Sequence, residues 1–245
     1  MKKIILPLSL ATIILSTPLW ASHQHGSNWE GSNANFGLNI NTGDTKAKDF
    51  NLGSIVQYTR TKWSNNLNLT YQLAYTNDVQ TKGILNATNN TNYYFSTDKK
   101  TFAAGNINVI SDITSIYHYT VVGSIMYGRT LRYSKTFTWD AQVGPGMRYN
   151  APLQGYESVS RPVAVFLSNL TWRLKSWGKI TENLRYELGR PYDYFQTTTN
   201  FTNQLNHHLA IQTSFQLNHY SQLPVHKSGS ALTNTTTTLS LVYNF

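Results

Sequence analysis

The feature that most constrains this chain is an alternation of apolar and polar residues with a period of two. Leu67, Leu69, Tyr71, Leu73 and Tyr75 alternate with Asn66, Asn68, Thr70, Gln72 and Ala74. Side chains of a strand point to opposite faces in turn, whereas those of a helix repeat every 3.6 residues, so only a strand carries this pattern. The same rhythm returns along the chain. Ala34, Phe36, Leu38 and Ile40 alternate with Asn33, Asn35, Gly37 and Asn39. Tyr117, Tyr119, Val121, Gly123, Ile125 and Tyr127 share one parity, as do Leu209, Ile211, Thr213, Phe215 and Leu217. The last stretch sets Leu239, Leu241, Tyr243 and Phe245 against Thr238, Ser240, Val242 and Asn244, and the chain finishes on the aromatic. A terminal strand with one greasy, aromatic face is what closes an outer-membrane barrel at the lipid–water boundary.

Turn residues divide the sequence into about twelve such segments, each about 10–15 residues long, enough for a tilted strand to cross a bilayer. Thr42-Gly43-Asp44, Thr61-Lys62 and Thr97-Asp98-Lys99 read as turns, and Asn150–Tyr156 and Ser221–Ser230 as longer loops. Pro145 lacks a ladder donor and predicts a bulge in the seventh strand; the eighth, near Val159–Arg173, has mixed parity that predicts another. An even count returns both ends of the chain to one side, the periplasm. The fold expected is all-β, a transmembrane up-and-down antiparallel barrel over residues 29–245.

The N-terminus agrees. Met1-Lys2-Lys3 precedes an apolar run from Ile4 to Leu15 and a small-residue site ending at Ala21. That is the pattern of a cleavable signal peptide over residues 1–21, and Ser22–Asn28 then reads as a flexible periplasmic leader. The chain has no cysteine, so no disulfide framework stabilises it after export. It is 40% hydrophobic, yet its mean hydropathy is −0.37. A barrel reconciles the two, because only alternate residues face lipid. The formal net charge of +9 is spread in ones and twos over turns rather than along a stripe, which argues against nucleic acid. Arg60, Lys62, Lys99, Lys100, Arg129, Arg132, Lys135, Arg173, Lys175 and Lys179 fall on the inferred periplasmic rim, where they suit anionic lipid headgroups. Outer-membrane lipids are therefore one expected partner. The barrel-assembly machinery, acting through the C-terminal strand, is another. The sequence leaves the oligomeric state open.

Charge on the lipid face of a barrel is costly, so Asp140, Gln142 and Arg148 of the seventh strand and Arg185 and Glu187 of the ninth are assigned to the lumen. They serve either to tie the barrel shut or to line a passage. About twelve strands enclose a backbone cylinder of about 24 Å, half filled by side chains, which allows at most a narrow channel. An enzymatic alternative, a lipid or peptide hydrolase at the external rim, needs a positioned base. His118 and His219 lie near the external strand ends, but no nucleophile or acid is spaced to serve them. His23, His25 and His226 fall outside the strands, and adjacent His207 and His208 are read as pointing to opposite faces of one strand. No catalytic residue, metal site or cofactor is assigned. A secreted β-sandwich such as a carbohydrate-binding module is disfavoured by the lipid-like strand faces.

Trp29–Thr45, Tyr58–Trp63, Gly144–Tyr149 and the terminal T-T-T-T-L-S-L-V-Y-N-F together resemble the YdiY-like family of salt-induced outer-membrane proteins, grouped as a domain of unknown function. The likeness runs over essentially the whole mature chain, with Pro145 and the Thr- and Asn-rich tenth strand as departures. It implies an outer-membrane barrel of a Gram-negative bacterium. It implies no activity and no catalytic residues. The expectation is a non-enzymatic envelope barrel, structural or a narrow small-solute channel.

Overall fold

The computed structural model describes residues 28–29, 31–41, 47–77, 79–95, 98–113, 117–152, 157–174, 177–222 and 232–244. The expected signal peptide, nearly all of the leader and Phe245 lie outside the described residues. Twelve strands follow one another: β1 (Asn33–Asn41), β2 (Ala47–Thr59), β3 (Trp63–Thr76), β4 (Val79–Tyr94), β5 (Thr101–Asp112), β6 (Tyr117–Tyr133), β7 (Phe137–Pro152), β8 (Val159–Leu174), β9 (Gly178–Gly189), β10 (Tyr194–Gln204), β11 (Leu209–Tyr220) and β12 (Thr233–Asn244). Each pairs antiparallel with its sequence neighbours, and β12 pairs with β1, so the sheet is a closed up-and-down barrel. Closure satisfies the backbone without leaving a free edge.

The even strand number puts both described ends at the turn end of the barrel, opposite the longer connections. Tracing the register once around returns to β1 about 16 residues further along. A shear of that size tilts the strands by about 45° and gives a backbone diameter of about 24 Å. The β1–β12 seam is the shortest in register. Asn33–Phe36 meet Leu241–Asn244, whereas β1 pairs with β2 along its whole length.

Alternation sorts the side chains. Ile107, Ile125, Val143, Phe166, Leu239 and Leu241 are exposed on the outer wall. Trp63, Trp139, Trp172 and Tyr243 ring its turn end, and Tyr119 and Tyr149 its loop end. An apolar belt between two aromatic rows is the pattern that membrane-spanning barrels present to lipid. Inside, Phe102, Ala104, Val122, Met126, Val163, Val165 and Leu167 form one buried cluster on the wall from β5 to β8.

Two local expectations are corrected. Pro145 faces outward opposite Ala164 and does not shift the register. Strand β8 runs in register with both neighbours, with Val163, Val165 and Leu167 inward and Ala164 and Phe166 outward; its mixed parity reflects an apolar inner face, not a bulge. The register shifts fall instead at Ala74/Tyr75 against β4, and at Tyr117/Tyr119 and Thr130/Arg132 of β6 against β7.

Candidate functional site in the barrel lumen

Inward parity on β7 and β9 brings three charged side chains together in the loop half of the lumen. Arg148 donates from Nε and Nη2 to Glu187 Oε2, at 3.0 and 2.8 Å, and Arg185 donates from Nε to Glu187 Oε1 at 2.5 Å. One carboxylate thus bridges two guanidiniums, and the cluster carries a net charge of about +1. All three groups are buried, Arg148 and Glu187 to 1% and 2% exposure. Arg185 then reaches across to β5, where its Nη1 donates to Asn106 Oδ1 at 2.8 Å. Arg148 Nη1 donates to the Tyr192 carbonyl at 2.9 Å, and its guanidinium lies 4.4 Å from the Tyr192 ring centre. The result is a strut that crosses the lumen from β9 to β5 and ties in the β9–β10 connection.

Local sequence makes room for it. The inward positions between Gln142 and Arg148 are Gly144 and Gly146, and β6 lies so close that a Cβ on Gly144 would stand 2.0 Å from the Ile125 carbonyl oxygen. Val165, fully buried, packs against the same surface. Above the strut, toward the loops, lies a cavity of about 40 Å³ whose lining includes Asn108, Tyr117, Thr120, Tyr192, Tyr194 and Tyr220. That is room for a few waters. Thr120 and Tyr192 both donate to Asn150 Oδ1, and Tyr194 donates to Asn218 Oδ1. Burial pushes the Tyr192 phenol up to about 12, against the opposing pull of Arg148.

The sequence-assigned lumen residues separate into two groups. Arg148, Arg185 and Glu187 form the strut. Asp140 points inward at the turn end and accepts a 2.6 Å hydrogen bond from Thr130, away from the strut. Gln142 is buried between them, and its Oε1, like Arg185 Nη2 and Ser124 Oγ, has no hydrogen-bond partner among the described residues. On β12, Leu239, Leu241 and Tyr243 face outward, and the Tyr243 ring stacks on His208 at 5.7 Å. His207 and His208 lie in the β10–β11 turn and not on a strand, so the opposite-faces argument does not apply to them. His219 Nδ1 lies 2.7 Å from Thr233 Oγ1, and His118 packs edge-on against Tyr119. Among the described residues, no three His, Cys, Asp or Glu side chains gather as metal ligands would. Asn106 and Tyr192 escape a reading by charge. Asn106 is signalled only as an amide after the inward pair Phe102 and Ala104, and Tyr192 lies in a connection whose fold the sequence does not specify.

The rest of the lumen is different in character. From β9 through β12 and β1 to β4, the inward wall is mainly amide and hydroxyl: Asn35, Asn51, Asn66, Thr70, Asn90, Thr198, Asn200, Gln212 and Ser214 are partly accessible. Asn68 and Asn183 point inward from β3 and β9, on opposite walls, and both are exposed. An inward side chain with that accessibility borders open space. The lumen therefore has a packed side and an open side lined mainly by amides and hydroxyls, with Asp49 of β2 and Lys82 of β4 sharing its inward parity toward the loop end and Lys179 of β9 toward the turn end.

A family model described as "Protein of unknown function, DUF481" matches residues 34–245. The chain belongs to this family. It is the family of the YdiY-like proteins, so the resemblance carried by the sequence motifs holds. No curated protein matches the sequence. Among solved structures, the chain is similar to the NanC porin, with a TM-score of 0.51 and 9% identity, covering 87% of this chain and 99% of that one. It also matches the translocator domain of the autotransporter NalP from Neisseria meningitidis, with a TM-score of 0.44 and 9% identity, covering 87% of each chain. At such identities the likeness is one of fold.

Proposed function

We propose that this protein is an outer-membrane barrel of the Gram-negative envelope that passes small, uncharged hydrophilic solutes through a narrow, off-centre lumen. The observation that carries the reading is the exposure of Asn68 and Asn183, which face each other across the lumen beside the strut. Amide and hydroxyl walls replace the hydration of a neutral solute without favouring either sign of ion. The apolar belt and aromatic rows support a bilayer home, and the signal-like N-terminus supports export to it. In this reading the protein is not an enzyme, and its partners are the surrounding lipids and the machinery that inserts its last strand.

The test is single-channel conductance of the refolded mature protein in planar bilayers, with sugar uptake by proteoliposomes in parallel. Small discrete steps with weak ion selectivity are expected. Asn183→Trp, which fills the open side, should reduce both conductance and uptake several-fold. A silent bilayer and sugar-tight vesicles, from protein whose heat-modifiable gel migration shows a folded barrel, overturn the channel reading.

A further inference from the structure

The outer wall carries a feature that a lone barrel in lipid does not need. Strand β9 turns Leu184, Tyr186 and Leu188 outward, and Glu182 shares their parity. Its carboxylate accepts hydrogen bonds from Thr197 and Thr199, outward residues of β10. The level is well inside the belt, because Glu182 lies between the turn-end tryptophans and the loop-end aromatics. Two hydroxyls fix the carboxylate in place but leave its charge uncompensated, and an ionisable group at that depth calls for a partner. Outward cations lie toward the turn-end rim: Arg132 of β6 pairs in register with Trp139 of the aromatic row, and a second arginine lies one step further into the belt. It is Arg129 of β6, paired in register with outward Thr101 and Ala141 and exposed near the turn-end aromatic row. Among the described residues, neither Glu182 nor Arg129 has an ion-pair partner on its own barrel.

The two sites have opposite sign, and their spacing is specific. With the register and tilt of this barrel, Glu182 and Arg129 stand about 65° apart around the wall and differ in height by about 5 Å. An arginine side chain spans that height difference by extending along the wall. For touching cylinders, head-to-tail contacts close into a ring of three when the two contact sites are about 60° apart, whereas a ring of four needs about 90°. The wall beside Arg129 carries Ala103 and Gly105, and a Cβ on Gly105 would meet nothing within 4 Å, so a neighbouring barrel has room to come close.

We propose that the occupant of this face is a second copy of the chain. Three barrels form a ring in which Glu182 of each copy, held by Thr197 and Thr199, pairs with Arg129 of the next. The inference rests on the membrane placement proposed above and is independent of conductance. Its test is native mass spectrometry of the folded protein released from phospholipid vesicles, with chemical cross-linking in the same vesicles. Wild type should give the trimer mass, and Glu182→Gln and Arg129→Gln should each shift at least nine-tenths of it to monomer. The double exchange, Glu182→Arg with Arg129→Glu, should restore the trimer. Heat-modifiable migration verifies that each variant is folded. A folded, inserted wild type that is monomeric, dimeric or tetrameric overturns the proposal, as do single variants that stay trimeric. Protein stripped from vesicles by carbonate or urea would instead count against the membrane placement itself.

Discussion

Removing the carboxylate at the centre of the strut should cost more than removing either arginine. In Glu187→Ala, two buried guanidiniums lose their shared counter-ion and three hydrogen bonds of 2.5–3.0 Å. Breaking a buried ion pair from one side costs about 3–5 kcal/mol, because the remaining charge stays desolvated and unpaired. Here two like charges remain, which sets the expectation at the upper end of that range. Arg185→Ala has the opposite effect on charge. It leaves the Arg148–Glu187 pair intact and takes the cluster from about +1 to neutral, while Asn106 and one Glu187 oxygen lose a donor. Its cost should be about 1–3 kcal/mol, that of buried acceptors left unmade. Urea unfolding in detergent micelles, followed by tryptophan fluorescence and by gel migration, measures both. Equal losses, or a Glu187→Ala loss below about 1 kcal/mol, would refute the reasoning, because the strut would then be solvated and not buried.

Two further outcomes follow from positions described above. Gly144→Ala forces a Cβ onto the backbone of β6, so it should sharply lower the yield of folded barrel on refolding, whereas Gly105→Ala, with open space around it, should refold like wild type; gel migration after dilution from urea compares them. The Tyr192 phenol, in the β9–β10 connection, is raised from 10.0 to about 12, so its protonated form is favoured in the folded state. The stability it contributes is complete below pH 10 and is lost as pH rises through 12, a change of about 2–3 kcal/mol. Urea midpoints measured from pH 9 to 12 should therefore fall less steeply for Tyr192→Phe than for wild type.

The barrel was legible in the sequence because its code is local. Parity needs only neighbouring residues, and strands such as β3, β6, β11 and β12 show it within their own length. The lumen was legible where charge made outward placement costly, which is how Arg148, Arg185 and Glu187 were assigned. The same rule fails for Glu182, a charged residue whose parity points outward, and it is silent on Asn106 and Tyr192, which are neutral. Which inward groups meet across the lumen depends on shear, and shear is the sum of twelve registers that no single strand displays. Strand β8 misled for a related reason. A strand buried on its inner face and lipid-covered on its outer face is apolar on both, so its alternation fades.

The brevity of the join between Asn33–Phe36 and Leu241–Asn244 also bears on how the molecule is made. Every other seam links neighbours in the chain and forms at small cost in loop entropy; this one brings together the two ends of the strand sequence, the most non-local contact in the molecule. Being the most non-local and having the fewest ladder bonds, it is expected to form last and to part first. Until it forms, the sheet is an open ribbon with two raw edges, each able to template a strand from elsewhere. On the membrane placement proposed above, a long stay in that state would favour aggregation over closure whatever the stability of the finished cylinder.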